Sequence, residues 1–417
     1  MTKKTRWVAV FAATLATVSP FAVAYAADET QIAVAQDELA RFVRQVVDTH
    51  PSVRAARASL DASAAYEAAA KRPLYNPELE FEAEDAEVET RTVGISQTLD
   101  WAGKRRARSS VAEAERRAVE AKFVATRWQI SVDLLTALAD YQTESERRQL
   151  AESRVKAMQD FADLSRQRFD TGDISQIDFN LAVLANTQAR MQLATAVASV
   201  AESKQAVANY VGRTPESHWP TLGVRLPPIA AGARAEERVM GLPQVQAAQQ
   251  DAEAASARVT LRQRERRLDP TLTLRGGKEG DENLVGLNVT VPLPVRNSFR
   301  HQVTAADAEY RQAKESLSNV SQRAYARYLG AEERYKVSRT AWQDWQSTGH
   351  TSLQSQNDTL RRLWQAGELS TTDYLVQLKQ SLDTGESALE LRNALWRAWF
   401  EWMTASGQIK NWLGEGS

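Results

Sequence analysis

A chain of 417 residues with no cysteine is long enough for two or three ordinary domains or one elongated one. It can hold no disulfide, no thiolate metal site and no lipid on an N-terminal cysteine. Its 52 basic and 53 acidic side chains leave a formal net charge of −1, and no basic patch with interleaved aromatics stands out, so nucleic acid is not an expected partner.

The first residues read as a targeting segment. Lys3, Lys4 and Arg6 form a basic start, an apolar run follows from Trp7 to Ala24, and Ala24-Tyr25-Ala26 is an A-x-A cleavage site. A signal peptide over residues 1–26 is expected, and its three basic residues lower the net charge from −1 to −4 when it is lost. No later stretch approaches the ~18 apolar residues of a spanning helix. If the exported chain crosses a membrane, it must do so as a barrel.

From about Ala35 to Lys71 the sequence is helical in character, interrupted by His50-Pro51. After Asn76-Pro77 the pattern changes to alternation with a period of two, the signature of a strand. Glu78, Glu80, Glu82 and Glu84 fall on one face and Leu79, Phe81 and Ala83 on the other. A second alternating run puts Val93, Ile95, Leu99 and Trp101 opposite Thr92, Gly94, Ser96, Thr98 and Asp100. These two runs predict a β-hairpin at about 76–101. A helical run then continues from Gly103-Lys104 to about Arg168, some 65 residues, or roughly 100 Å at the helical rise. A turn at 171–175 leads to a returning helix from Ser175 to about Tyr210, and a proline-punctuated linker runs to Gly232.

The order then repeats. Pro243-Gln244-Val245 echoes Pro51-Ser52-Val53, Asp269-Pro270 echoes Asn76-Pro77, Val285-Gly286 echoes Val93-Gly94, and Gly407 answers Gly212, at offsets of roughly 192 to 195 residues. We read this as a tandem duplication, with a first structural repeat at 27–232 and a second at 233–417, the latter holding a β-hairpin at about 270–293 and a turn at 366–370. The fold class expected is mainly α with a small β part: duplicated long helical hairpins plus two β-hairpins.

The two helix–helix turns match. Arg168-Phe169-Asp170-Thr171-Gly172-Asp173-Ile174-Ser175-Gln176-Ile177-Asp178 reappears as Leu363-Trp364-Gln365-Ala366-Gly367-Glu368-Leu369-Ser370-Thr371-Thr372-Asp373. A glycine after a long helix can take the left-handed conformation that stops it. Ser175 and Ser370 suit the next N-cap, with Asp178 and Asp373 as the acidic half of a capping box. An ordinary turn explains one copy. Two copies at matching places ask for more.

Strands of this length suit a tilted crossing of a bilayer, with apolar faces toward lipid, polar faces toward a wet interior and Trp101 near one boundary. Four strands cannot close a barrel, so they would pair with strands of other protomers. The soluble alternative is a sandwich whose apolar strand faces pack on the chain's own helices.

On these residues the chain resembles the TolC family of outer-membrane efflux channels over essentially the whole of the expected mature sequence. Ile95-Ser96-Gln97-Thr98-Leu99-Asp100-Trp101-Ala102-Gly103-Lys104-Arg105 is similar to the strand-to-helix junction of the CzcC-like heavy-metal subgroup, and Val291-Pro292-Leu293-Pro294-Val295-Arg296-Asn297 resembles its counterpart in the second half. The resemblance implies a homotrimer with one shared β-barrel in the outer membrane and an α-helical tunnel across the periplasm. It also implies a periplasmic adaptor (membrane fusion) protein and an inner-membrane resistance-nodulation-division pump as partners. Adaptor docking and the entrance would then lie at Thr171, Gly172, Asp173, Ser175 and Asp178 and at Ala366, Gly367, Glu368, Ser370 and Asp373. The family's best-known channel closes its tip with a tyrosine and an arginine of the second hairpin. The positions here are Trp364 and Leu369, so that clamp does not carry over, although Asp178 matches an acidic residue of the first hairpin.

Copied threefold, Glu78, Glu80, Glu82 and Glu84 would surround the exit with a field that attracts cations. Ordinary polar lining, or a solvated mouth, is the plainer explanation of the same four residues. The four histidines (His50, His218, His301, His350) are scattered without metal-site spacing, and Trp396, Trp399 and Trp402 form a stripe suited to packing against another helix. No nucleophile–base pairing and no phosphate loop is present, so no enzyme, cofactor or resident metal is expected. The function expected is a passive exit duct for divalent heavy-metal cations. The alternatives are the same channel carrying drugs, small molecules or protein, and a soluble periplasmic coiled-coil scaffold or adaptor.

Overall fold

The computed structural model describes residues 37–85, 88–223, 226–227, 229, 234–366 and 368–414. The expected signal peptide, Gly367 and Gly232 lie outside the described residues.

Helix α1 (residues 37–49) and helix α2 (Pro51–Ala70) are divided at His50, whose Nδ1 accepts the backbone N–H of Ser52 at 3.2 Å while Pro51 opens the new helix. Strand β1 (Glu78–Glu84) and strand β2 (Thr90–Thr98) follow, then helix α3 (Lys104–Asp170), whose 67 residues include neither glycine nor proline. Its start is set by Asp100, whose two carboxylate oxygens take the backbone N–H groups of Lys104 and Arg105 at 2.6 and 2.9 Å. Helix α4 (Gln176–Val211) returns along α3.

The second half runs α5 (Ala235–Met240), α6 (Pro243–Glu265), β3 (Thr271–Glu279), β4 (Glu282–Thr290), α7 (Arg300–Asp344), α8 (His350–Gln365), α9 (Thr371–Ala405) and α10 (Ile409–Trp412). Here the structure departs from the single long helix that the sequence suggests. Between α7 and α8 the chain makes a π-helical turn, Trp345–Gly349. The Trp345 ring lies so close to Gly349 that a Cβ there would come within 2.3 Å of it. Glycine therefore makes room for the wider turn.

Two apolar cores hold the helices. One joins Leu39, Val43 and Val47 of α1 to Leu134, Leu135 and Leu138 of α3, Val207 of α4, Val245 of α6, Tyr335 of α7 and the aromatic residues of α9. Trp396, Trp399 and Trp402 lie within it, and the Trp396 indole donates to the carbonyl of Gly223 at 3.0 Å. The second core joins Met158 and Phe161 of α3, Ala182 and Ala189 of α4, Leu360 and Trp364 of α8, and Tyr374, Leu375 and Leu378 of α9.

The strands form one antiparallel sheet in the order β1-β2-β3-β4, with β1 and β4 at its edges. The central pairing joins β2 to β3, Ile95 opposite Leu274 and Thr98 opposite Thr271, across the long helices of the first half.

Candidate functional site: the sheet face and the helical tips

The register gives each face of the sheet its chemistry. Leu79, Ile95, Leu274 and Leu287 lie in one row and Phe81, Val93, Gly276 and Val285 in the next, all on one face. Among the described residues no helix covers this apolar face: Val285 is 82% exposed and Ile95 52%. The opposite face holds Thr92 and Ser96, which are 5% and 2% exposed. A soluble sheet would bury the apolar side chains, so the sandwich alternative is contradicted by the packing of this chain.

The polar face collects charge. Glu78 lies in a row with Ser96, Thr273 and Asn288, Glu80 with Gly94, Arg275 and Gly286, and Glu82 with Thr92, Gly277 and Leu284. At the loop end Glu84, Thr90, Glu279 and Glu282 form the last row. The predicted carboxylates Glu78, Glu80, Glu82 and Glu84 are all exposed on the edge strand β1. Glu82 alone among them has charged and hydroxyl partners in hand: Thr92 donates to its Oε2 at 3.1 Å and Arg275 approaches the same oxygen at 3.3 Å.

Arg275 is the residue that sequence reading missed. It sits directly between Gly94 and Gly286 on the neighbouring strands, and its side chain lies across Gly286, where a Cβ would meet its Nε at 3.0 Å. Two glycines thus form a slot that lays a guanidinium across an otherwise acidic face. The available signal was parity: Arg275 follows Thr271 and Thr273 on the polar face of β3.

At the first tip, Gly172 has φ +79°, with open space where a Cβ would be. The N–H groups of Gly172 and Asp173 close the helix end on the carbonyls of Phe169 and Arg168 at 3.0 and 2.8 Å. Thr171 donates to Asp173 at 2.8 Å. Ser175 and Asp178 form a reciprocal capping box, Asp178 N–H to Ser175 Oγ at 3.2 Å and Ser175 N–H to Asp178 Oδ2 at 3.3 Å. At the second tip Asp373 N–H donates to Ser370 Oγ at 3.1 Å, and Ser370 donates to Asp373 Oδ2 at 2.6 Å. Glu368 N–H closes the end of α8 on the carbonyl of Leu363, and Ala366 and Glu368 are exposed.

The tips are joined within one protomer. The Arg168 guanidinium donates to the Trp364 carbonyl at 3.0 Å and lies 5.5 Å from the centre of its ring. Trp364 stacks on Tyr374 at 4.4 Å, with Phe161 beside both. Farther along, Arg154 donates to Gln192 and to Asp383, each at 2.7 Å, and Arg397 grips Asp140 through both carboxylate oxygens. On the outer side of α4, Ile177, Leu184 and Met191 recur every seven residues and are exposed, Ile177 to 78%.

Among the described residues no group of three or more His, Asp or Glu side chains is arranged to hold a metal ion, and no helix is long and apolar enough to cross a membrane.

Residues 42–213 match the family described as Outer membrane efflux protein. The chain is 26% identical over 230 residues to the cobalt-zinc-cadmium resistance protein CzcC of Cupriavidus metallidurans, covering 54% of this chain and 55% of that protein. The matched stretch thus spans about half the length of this curated relative. The fold of this chain is similar to that of the outer-membrane channel OprN (TM-score 0.75, 16% identity, 89% of this chain and 91% of that one). It is also similar to the CmeC outer membrane channel of Campylobacter jejuni (TM-score 0.74, 12% identity, 90% and 89%). Residues 42–213 thus match the outer membrane efflux protein family, and the two halves together carry a fold similar to that of outer-membrane channels.

Proposed function

We propose that this protein is the outer-membrane exit duct of a tripartite efflux system and that its cargo is divalent heavy-metal cations. The observation that carries the proposal is the inverted sheet, apolar outside and acidic within, whose two edges have no strand partner among the described residues. Open edges are excluded from hydrocarbon, so β4 of one copy would pair with β1 of the next. Threefold repetition closes a barrel of roughly twelve strands with the carboxylates inside. The heptad stripe on α4 offers a helical surface for a neighbouring copy. In this assembly the tips point into the periplasm, where an adaptor would dock at Thr171-Gly172-Asp173 and Ala366-Gly367-Glu368. An inner-membrane resistance-nodulation-division pump would supply the energy.

The cation cargo is supported by the acidic face and by the likeness to a cobalt-zinc-cadmium resistance protein. Two measurements test the proposal. Fractionation should recover the protein from the outer membrane as a detergent-extracted trimer; release with periplasmic contents would support a scaffold instead. A deletion strain should lose tolerance to divalent metals; loss of tolerance to organic drugs alone would reassign the cargo.

A further inference from the structure

Where α3 and α6 meet the sheet, a cavity of about 560 Å³ opens. Four arginines line it: Arg105 and Arg106 from the first turn of α3, Arg264 from the last turn of α6, and Arg267 just beyond. Arg264 donates to the carbonyls of Ala102 and Gly103 at 3.1 and 3.2 Å. Among the described residues the other three guanidinium groups have no carboxylate partner. The acids close by are occupied. Asp100 caps α3, Asp269 is paired with Lys104 at 2.9 Å and accepts from Tyr75 at 2.8 Å, and Glu265 is paired with Arg262 at 2.7 Å.

This arrangement opposes elementary electrostatics. The first turn of a helix favours acids, yet α3 begins Lys104-Arg105-Arg106 with no acidic residue. On the exposed face of the same helix, Arg117 has the Glu113 carboxylate within reach. A bound anion would offset the clustered charge here, and guanidinium groups suit phosphate oxygens.

The position narrows the source of that anion. Trp101 lines the same cavity, is 78% exposed and continues the outward parity of Val93, Ile95 and Leu99. An exposed indole at the end of an apolar band marks the level of lipid headgroups. We propose that the cavity binds the phosphate of an anionic phospholipid at the helical end of the barrel, with an acyl chain along Trp101 and the apolar rows. A zwitterionic lipid would bring its ammonium into the same cationic cluster and bind less well. The proposal rests on the reading of the sheet as a bilayer-spanning wall.

The test is native mass spectrometry of the full-length detergent-extracted protein titrated with phosphatidylglycerol or phosphatidylcholine. Phosphatidylglycerol should be retained at least about tenfold better, and the triple variant Arg105→Gln, Arg106→Gln, Arg267→Gln should lose the preference. Arg267→Gln alone, outside any helix, should reduce it by about threefold, with an unfolding temperature in phosphatidylcholine equal to that of the unsubstituted protein. No preference, or one that survives the triple substitution, overturns the site. Displacement of the lipid by excess inorganic phosphate overturns the lipid as its source. Conductance in a pure phosphatidylcholine bilayer separates the two readings. A protein that conducts without lipid preference loses only this inference, and one that neither inserts nor conducts loses the channel on which it rests.

Discussion

Arg168, near the end of the first long helix, donates its guanidinium to the main-chain carbonyl of Trp364, 196 residues farther along, at 3.0 Å. The same guanidinium lies over the indole ring, so one side chain ties the first tip to the buried aromatic stack of the second. A charge-assisted hydrogen bond contributes about 1.5–3 kcal/mol. Arg168→Ala should therefore loosen the second tip without unfolding the helices. Amide hydrogen exchange over residues 363–376 should quicken by about tenfold or more, while exchange in the core around Leu134 and Trp396 stays unchanged. If the entrance closes through these tips, the variant also conducts more in planar bilayers.

The second prediction concerns Arg275. It lies on the acidic face of the sheet, against Glu82. Both side chains are about half exposed, so the pair adds little stability. Its consequence is for the field along the pore. Arg275→Gln should shift the reversal potential under a salt gradient toward stronger cation selectivity, and replacing Glu78, Glu80, Glu82 and Glu84 by glutamine should shift it the other way. Equal selectivity in all three proteins removes the sheet face from the account of cargo choice.

Substitution at the first tip should separate docking from folding. Gly172 has φ +79° and free space around it, so Gly172→Val strains the backbone by about 1–2 kcal/mol without a clash. Barrel and trimer should survive, as judged by heat-resistant migration of the oligomer, while metal efflux is lost. The same result is expected for a bulky residue at Gly367. Full efflux from both variants would take the tips out of adaptor docking.

Tyr75 sets a pH dependence at the junction of sheet and helix. Burial, and then the hydrogen bond it donates to Asp269, push its hydroxyl up to about 12 from the ordinary 10. A raised folded-state value means that the stabilisation is complete below pH 10 and is lost as pH rises toward 12, where the unfolded chain ionises first. The unfolding temperature should fall across that window in the unsubstituted protein and fall less in Tyr75→Phe. Tyrosinate absorbance of the folded protein should show one fewer late-titrating group in the variant.

Much of the helical framework was legible locally. Asn76-Pro77 and the alternation after it mark β1, and the absence of glycine and proline from Lys104 to Asp170 marks α3. The π turn was not legible, because Gly349 looks like a tolerated helical glycine until the Trp345 ring is seen against it. Arg275 escaped for a different reason. Parity assigns it a polar face, but nothing local says that Gly94 and Gly286 will flank it or that Glu82 lies within reach.

The amino-acid sequence alone determined the element types outside the π turn, the stop-and-restart chemistry at Gly172-Ser175-Asp178 and the two-faced character of the strands. These depend on periods of two and 3.6 and on contacts within a few residues. Tertiary structure decided which strands are neighbours, which face is left uncovered, and which charges meet. Ile95 and Leu274 are paired across 179 residues by hydrogen bonds that carry no side-chain code, so their register appears only when the sheet is assembled. The meeting of Arg105 and Arg106 with Arg264 and Arg267 is of the same kind: two helix ends, far apart in the chain, close on one cavity.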